Sequence, residues 1–322
     1  MPIIIPKELP AASLLQKENI FALLQHKAVQ QEIRPLKIAI VNLMPQKIAT
    51  ENQLLRLLSQ SPLQIDVTLL KMTCHESKHT SLNHMEKFYQ TFSKIKPQRF
   101  DGLIITGAPV EKIPFEAIDY WQELQDIMKW SQTNCTSVLH ICWGAQAGLY
   151  YHYGVDKVRY PQKLFGVFEQ AVTHFHPLVR GFDDVFFTPH SRYTGIDEAQ
   201  LKQTSLEVLA AGDDTGPTIF VSKDHKNVFL LGHFEYHTST LKEEYLRDLA
   251  RGLETPLPKN YFADDRLGGK ITNRWRGHAS LFFSNWVNET YQRTPYDLTI
   301  QPTKEGYRIG NELEGRARIN DD

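Results

Sequence analysis

Strand and helix patterns alternate through the first half of this chain. Leu36–Val41 and Gly102–Gly107 are short apolar runs rich in branched side chains, and Leu63–Leu70 shows the apolar–polar alternation of a strand. Ser81–Ile95 and Phe115–Ser131, in contrast, have the apolar spacing of helices. Because strands joined through helices run parallel, the alternation predicts an α/β fold: a mostly parallel sheet with helices on both faces.

The same patterns continue toward the C-terminus. Strands are predicted near Val185–Thr188, Leu206–Ala210, Thr218–Ser222 and Val228–Gly232, and a charged helix from about Thr240 to Arg251. Thr50–Gln53 resembles a capping box and predicts the start of a further helix.

The domain organisation predicted from these patterns is one α/β domain with extensions at both ends. Residues 1–35 form an N-terminal arm, and residues 36–300 form the domain. Within the domain, residues from about 255 are rich in proline and aromatic side chains and are expected to wrap back onto the core. Residues 301–322 are polar, lack apolar periodicity and are predicted to be a mobile tail.

Composition excludes several classes of protein. Lysine and arginine (36) nearly balance aspartate and glutamate (37), so no charge excess points to a nucleic-acid partner. The apolar run Ile3–Ile5 is too short for a signal-peptide core, and no segment approaches the roughly 20 apolar residues that span a bilayer. Only three cysteines are present, Cys74, Cys135 and Cys142, so we expect no disulfide framework and a reducing, cytoplasmic setting.

Cys142 ends the apolar run that begins at Val138, and small, helix-compatible residues follow it as far as Gly148. This pattern predicts a nucleophile elbow, a sharp strand-to-helix turn that presents a reactive side chain at the end of a sheet. Backbone N–H groups at the start of a helix favour a thiolate and can also hold an oxyanion. From the local pattern alone, a buried and inert cysteine is an equally good interpretation.

A cysteine nucleophile needs a base, and the base needs an orienting group. His233 follows the strand predicted at Val228–Gly232, and Glu235 lies two residues on, so both point to the same side of an extended segment. A rival interpretation takes His233, Glu235 and His237 as metal ligands, but their spacing matches no zinc motif, so no metal is expected. His140, two residues before Cys142, is expected to pack behind the turn.

Several further motifs occur together with the elbow. They are Asn42–Pro45, Thr106–Pro109, Pro189–Arg192, Gly232–Tyr236, Asn260–Phe262, Trp275–Arg276 and Asn285–Trp286. This set, in this order, resembles the cysteine-dependent homoserine O-acyltransferases of methionine biosynthesis, which are relatives of the class I glutamine amidotransferases. The resemblance covers about residues 1–300 and implies a class I glutamine amidotransferase-like (flavodoxin-like) fold.

The resemblance also implies roles for individual residues. Cys142 would carry the acyl group as a thioester, His233 would accept the proton, and Glu235 would be its partner. Lys163, Ser191 and Arg247 match the homoserine-binding positions. A guanidinium suits the carboxylate of homoserine, although without the resemblance Arg247 would pass as a solvated helix charge.

Glu111 bears on the choice of acyl donor. In the family that this chain resembles, glutamate at this position accompanies acetyl-CoA and glycine accompanies succinyl-CoA. A carboxylate in the acyl pocket would fill space and repel the distal carboxylate of a succinyl group. The resemblance therefore implies acetyl transfer from acetyl-CoA to homoserine, with acetyl-CoA as co-substrate and no other cofactor, in a homodimer.

The expected reaction adds three residues to the candidate site. Backbone N–H groups near Trp143 and at the Gly107–Ala108 turn would hold the tetrahedral oxyanion. Lys47, just after the strand Leu36–Val41, is a further candidate, or else a solvated residue at the start of a helix.

Three other functions stay open at this point. A succinyl-CoA enzyme would use the same chemistry, and a glutamine amidotransferase or cysteine hydrolase would share the elbow. However, the wider amidotransferase group usually has glycine two residues before the nucleophile, where this chain has His140, although Gly144 is present two residues after it. A non-catalytic binding protein with the same fold is the third alternative.

Overall fold

The structure is a computed structural model that describes residues 3–6, 8–18, 23–24, 34–74 and 80–295. The predicted tail, residues 301–322, lies outside the described residues. The strands are β1 (Ile3–Ile5), β2 (Leu23–Leu24), β3 (Leu36–Val41), β4 (Ile65–Lys71), β5 (Tyr89–Thr91), β6 (Phe100–Ile105), β7 (Cys135–Ile141), β8 (Lys157–Val172), β9 (Val185–Ile196), β10 (Glu207–Gly212), β11 (Gly216–Val221) and β12 (Asn227–Leu230). The helices are α1 (Pro10–Lys17), α2 (Lys47–Leu58), α3 (Leu82–Phe88), α4 (Phe92–Ile95), α5 (Trp121–Asn134), α6 (Trp143–Tyr153), α7 (Glu198–Leu201), α8 (Thr240–Ala250) and α9 (Arg276–Arg293).

All of these strands belong to one sheet. Its order is β2-β1-β4-β3-β6-β7-β12-β11-β10-β8-β9, with β5 beside β4. Pairing is parallel from β2 as far as β12 and antiparallel from β12 to β9. The predicted mostly parallel sheet is confirmed, and an antiparallel extension at one side adds to it.

Helices cover both faces of the parallel part, as predicted. Along β3, Ile38 and Ile40 belong to a core that also contains residues of α2 and α9. Ala39 and Val41 belong to a second core, built with α4 and α5. Because side chains alternate between the faces of a strand, the continuous apolar run of β3 serves both cores at once.

The parallel pairing brings the ends of four strands together. Val41 of β3 pairs with Ile105 of β6, and Leu230 of β12 pairs with Ile141 of β7. The segments that follow these residues therefore emerge at one edge of the sheet. This edge is where ligands bind in open α/β folds.

The segment predicted as an N-terminal arm contributes β1, β2 and α1. Ile4 pairs with Asp66 of β4, so the described part of this segment extends the sheet. Among the helices that the structure describes, none has the length and apolar character needed to cross a lipid bilayer.

Two local predictions were wrong, and one strand was missed. The helix predicted for Ser81–Ile95 is interrupted, because Tyr89–Thr91 forms β5 and pairs with the end of β4. The helix predicted to open at Thr50–Gln53 begins three residues earlier, at Lys47, and the Thr50 hydroxyl donates to the Gln46 carbonyl rather than capping. The pattern also gave no sign of β8, whose residues 157–162 are exposed or half-buried.

The aromatic-rich C-terminal segment contains α9, whose buried residues belong to the first core. The Trp286 side chain is fully buried, and its Nε1–H donates to Ser137 Oγ of β7 at 2.9 Å. A Cβ at Gly102 of β6 would lie 2.9 Å from the Trp286 ring, so this helix packs closely because residue 102 is glycine.

Candidate active site

Cys142 lies in a strained turn between β7 and α6. Its φ is 51° and its ψ is −115°, a conformation that side chains other than glycine rarely adopt. Its amide donates to Leu230 O at 2.7 Å, and its carbonyl accepts hydrogen bonds from the amides of Ala145 and Gln146 in the first turn of α6. This is the geometry of a nucleophile elbow, as the sequence predicted.

Two glycines leave room for the elbow. A Cβ at Gly144 would lie 2.6 Å from Thr106 O and 2.7 Å from Ile105 O, so only glycine lets α6 start this close to β6. A Cβ at Gly107 would lie 3.3 Å from the Cβ of Cys142 and 3.7 Å from its Sγ. The Gly107 turn therefore passes directly beside the thiol.

His233 and Glu235 lie beside Cys142, just beyond the end of β12. His233 Nδ1 is 2.6 Å from Glu235 Oε1, and the His233 ring stacks on Tyr236 with centroids 4.1 Å apart. The His233 amide donates to Pro189 O of β9, which fixes the backbone. The imidazole is thus held by a carboxylate on one side and by an aromatic ring on its face, and it interacts with the Cys142 thiol.

The electrostatics of this group favour a charged imidazole. Burial alone would lower the pKa of His233, but the charges of Cys142 and Glu235 and their hydrogen bonds outweigh it and raise the pKa well above its ordinary value. A charged imidazole beside a cysteine is the arrangement by which proteins activate a thiol, because opposite charges in contact attract strongly.

Cys142 and His233 line a cavity of about 420 Å³ at this edge of the sheet. Most of the predicted site residues line the same cavity, namely Ala108, Glu111, Lys163, Ser191 and Arg247. These residues are far apart in the sequence and come from the β6–α5 loop, β8, β9 and α8. The sequence-based predictions therefore converge on one concave site.

Glu111 is held in the wall of this cavity. Its Oε2 accepts from the Tyr193 amide at 2.7 Å and from Thr194 Oγ1 at 3.2 Å, both on β9. Burial raises the pKa of Glu111, although these hydrogen bonds and the charge of Lys163 oppose the shift. Glu111 therefore lines the same cavity as Cys142 and ties its loop to the sheet.

Lys163 and Arg247 both form ion pairs with the carboxylate of Asp248. Lys163 Nζ lies 3.0 Å from Asp248 Oδ2, and Arg247 Nη2 lies 3.1 Å from Asp248 Oδ1. Burial would raise the pKa of Asp248, but Lys163, Arg247 and the Thr255 hydroxyl outweigh it and lower the pKa. The Arg247 side chain keeps 37% of its surface exposed, so its guanidinium can also meet an anion in the cavity.

Glu244, a further buried carboxylate of the cavity wall, was not predicted. Ser191 Oγ donates to its Oε2 at 2.6 Å, and Tyr236 OH donates to its Oε1 at 2.7 Å. Among the described residues it forms no ion pair, which is unusual for a buried carboxylate. Helical spacing was the missed signal, since residues 244, 247 and 248 share one face of α8.

The remaining candidates surround the cavity rather than line it. Trp143 is the first residue of α6, and its amide has no backbone partner in the part of the chain that the structure describes. Lys47 is buried just behind the turn 44–46, which lines the cavity, and its amine donates to Asn42 O. Burial lowers the pKa of Lys47 to about 8. His140 is buried and stacks on Phe229, with ring centroids 4.8 Å apart.

The rival metal site has no counterpart in the geometry. His237 is exposed and bonds Ser239, away from the pair formed by His233 and Glu235. Within the described ranges, no group of three or more histidine, cysteine, aspartate or glutamate residues is arranged to hold a metal ion.

The fold is class I glutamine amidotransferase-like. The structure resembles that of a glutamine amidotransferase from Thermotoga maritima, with a TM-score of 0.52 and 15% sequence identity over 80% of this chain and 99% of that one. At such low identity the likeness extends to the fold and not to the activity.

The sequence comparisons identify the family. The family model described as homoserine O-succinyltransferase matches residues 2–296. The homoserine O-acetyltransferases of Bacillus licheniformis and Bacillus subtilis are each 54% identical to this chain, over 92% of its length and 99% of theirs. The chain belongs to the homoserine O-succinyltransferase family, which confirms the resemblance stated from its motifs.

Proposed function

We propose that this chain transfers the acetyl group of acetyl-CoA to the side-chain hydroxyl of L-homoserine, through an acyl-cysteine at Cys142. The observation that carries the proposal is the interaction between the elbow cysteine and an imidazole held by a carboxylate, in a cavity that Arg247 and Glu244 also line. The names of the two Bacillus relatives support the acetyl donor.

The first half of the reaction loads the enzyme. The Cys142 thiolate attacks the thioester carbonyl, and the oxyanion accepts hydrogen bonds from backbone amides at Trp143 and Ala108. The carbon–sulfur bond of the donor then breaks, and coenzyme A leaves with the proton that His233 had held. One thioester replaces another, so this step is close to neutral in free energy.

Acylation itself prepares the second half. The charge on Cys142 helps to raise the pKa of His233, and that charge disappears when the sulfur becomes a thioester. The His233 pKa therefore falls, and the imidazole becomes a neutral base. It accepts the proton of the homoserine hydroxyl as that oxygen attacks the acyl-cysteine, and the sulfur leaves as the thiolate.

The charges of the cavity suit a zwitterionic amino acid. Arg247 would bind the carboxylate of homoserine, and Glu244, which lacks a cationic partner among the described residues, would bind the ammonium group. Ser191 holds Glu244 in place, and Lys163 does the same for Asp248. The proposed chemistry uses only these side chains and the two substrates.

A two-donor assay tests the proposal. We expect purified protein to form O-acetylhomoserine from homoserine and acetyl-CoA, and to use succinyl-CoA poorly. Preference for succinyl-CoA would refute the assigned donor. Release of ammonia from glutamine, without acyl transfer, would instead favour an amidotransferase-type hydrolase.

Glu111→Gly is expected to admit succinyl-CoA. The change removes a side chain that fills the cavity and a carboxylate that would lie near the distal charge of a succinyl group. Burying like charges together costs several kcal/mol, so we expect kcat/KM for succinyl-CoA to rise roughly 100-fold. Steady-state kinetics with both donors measure the change.

Glu111→Gln is the matched control, because it keeps the volume and removes the charge. We expect it to gain less succinyl-CoA activity than the glycine variant. Thermal unfolding of both variants measures the stability lost with the hydrogen bonds to Tyr193 and Thr194, while the kinetics measure donor specificity. An unchanged donor preference in a folded Glu111→Gly variant would contradict the role given to Glu111.

A further inference from the structure

The rim of the cavity is built from two segments outside the site described above. Lys112 and Ile113 follow Glu111 in the β6–α5 loop, and Arg251 and Leu253 follow the end of α8. All four line the cavity and are exposed, including the apolar Ile113 (42%) and Leu253 (46%). Each segment therefore presents one cation and one exposed aliphatic side chain at the entrance.

The two rim cations differ from the two cations deeper in the cavity. Lys163 and Arg247 are paired with Asp248, as described above. Across the described part of the chain, Lys112 and Arg251 have no ion-pair partner, and neither is needed to neutralise a buried carboxylate. Their charges remain available to a ligand that enters through the rim.

The loop that carries Lys112 is held on both sides. Glu111 ties it to β9 through Tyr193 and Thr194, and the Lys157 amine donates to the Ile113 carbonyl. The Lys112 amine lies 3.5 Å from the centre of the Tyr193 ring, a cation–π contact that keeps its side chain on the cavity side. A charge held in this way loses less conformational entropy when it binds a ligand.

The two cations and two aliphatic side chains of the rim suit the phosphate groups and the aliphatic arm of an acyl-CoA. The thioester must reach Cys142, while the aliphatic arm and then the phosphate groups of the donor must extend outward past the rim. We propose that Lys112 and Arg251 bind the phosphate groups of the acyl-CoA donor, and that Ile113 and Leu253 contact its aliphatic arm. This inference rests on the proposed function and assigns the residues that bind the distal part of the donor.

A donor without phosphate groups distinguishes weaker phosphate binding from a defect in the acyl-transfer step. S-acetyl-N-acetylcysteamine carries the reacting thioester without phosphates. In the double variant Lys112→Ala, Arg251→Ala, we expect kcat/KM for acetyl-CoA to fall roughly 10-fold, because two exposed charge contacts are lost. The loss with the truncated donor should be much smaller, and raising the salt concentration should weaken acetyl-CoA use by the unmodified protein more than by the variant.

Two further variants complete the test. Lys112→Arg with Arg251→Lys keeps both charges and should retain most of the acetyl-CoA activity, and Lys202→Ala, an exposed lysine outside the cavity, should behave as the unmodified protein. An equal loss with both donors, or no loss with either, would overturn the subsite. Failure of the unmodified chain to react with either donor would refute the proposed function and the subsite with it.

Discussion

Replacing Cys142 with alanine is expected to abolish acyl transfer, with a loss of roughly 10⁴-fold or more in kcat. Among the described residues that line the cavity, Cys142 is the cysteine, and its side chain interacts with His233. A coupled assay for coenzyme A release, with homoserine and acetyl-CoA, measures the effect.

The alanine variant should remain folded, which makes this test informative. Alanine keeps the Cβ that Cys142 already carries at a φ of 51°, so the change adds no backbone strain. Cys135→Ala is a matched control, because Cys135 is buried in β7 away from the cavity and should keep its activity if the protein folds. Near-normal turnover by Cys142→Ala would exclude the cysteine mechanism.

Replacing His233 with asparagine is expected to lower kcat by roughly 10²–10⁴-fold, the range for a lost general base. Asparagine can still bond Glu235, but it cannot carry the charge that stabilises the thiolate or accept the hydroxyl proton. Single-turnover kinetics should show slower acylation by acetyl-CoA and slower transfer to homoserine, since the imidazole acts in both steps.

The pH dependence distinguishes a base from a structural residue. Loss of the His233 proton acceptor should flatten the pH profile of the transfer step, which a merely local packing change would not do. His174→Asn, an exposed histidine remote from the cavity, serves as the control. A His233→Asn variant with a normal rate and an unchanged pH profile would contradict the assignment.

The parallel sheet was predictable because its strands are short apolar runs separated by helix patterns. Once parallel pairing is assumed, the residues after β6, β7 and β12 must meet at one edge, so Gly107, Cys142 and His233 could be placed in one cleft from the sequence. The Glu235 side chain could be placed beside His233 for a similar reason, since residues two apart in an extended segment face the same way.

Other features depend on tertiary contacts that leave no periodic signal. β5 exists because Tyr89–Thr91 pairs with β4, although its flanking residues have helical patterns. Residues 157–162, which begin β8, are exposed or half-buried and mix polar with apolar side chains, so they show no clear strand pattern. Lys47 is buried and its amine donates to Asn42 O, so of the two interpretations of this residue the solvated one was wrong.

The cavity wall was the least predictable part of the site. Glu244 and Asp248 stand in a charged helix that the sequence alone would place in solvent. Their burial follows from the packing of α8 against β8 and β9, through contacts with Lys163 and Ser191. Helical spacing puts residues 244 and 248 on one face of α8, but only the folded chain shows that this face meets the cavity.

The central claim is that a covalent acyl-cysteine forms before homoserine binds. Intact-mass spectrometry after the protein is mixed with isotope-labelled acetyl-CoA alone tests it directly. We expect one added acetyl group per chain, located at Cys142 by peptide mapping, absent from Cys142→Ala and released by homoserine. Active protein that never shows this adduct, or that shows it at another residue, would contradict the account.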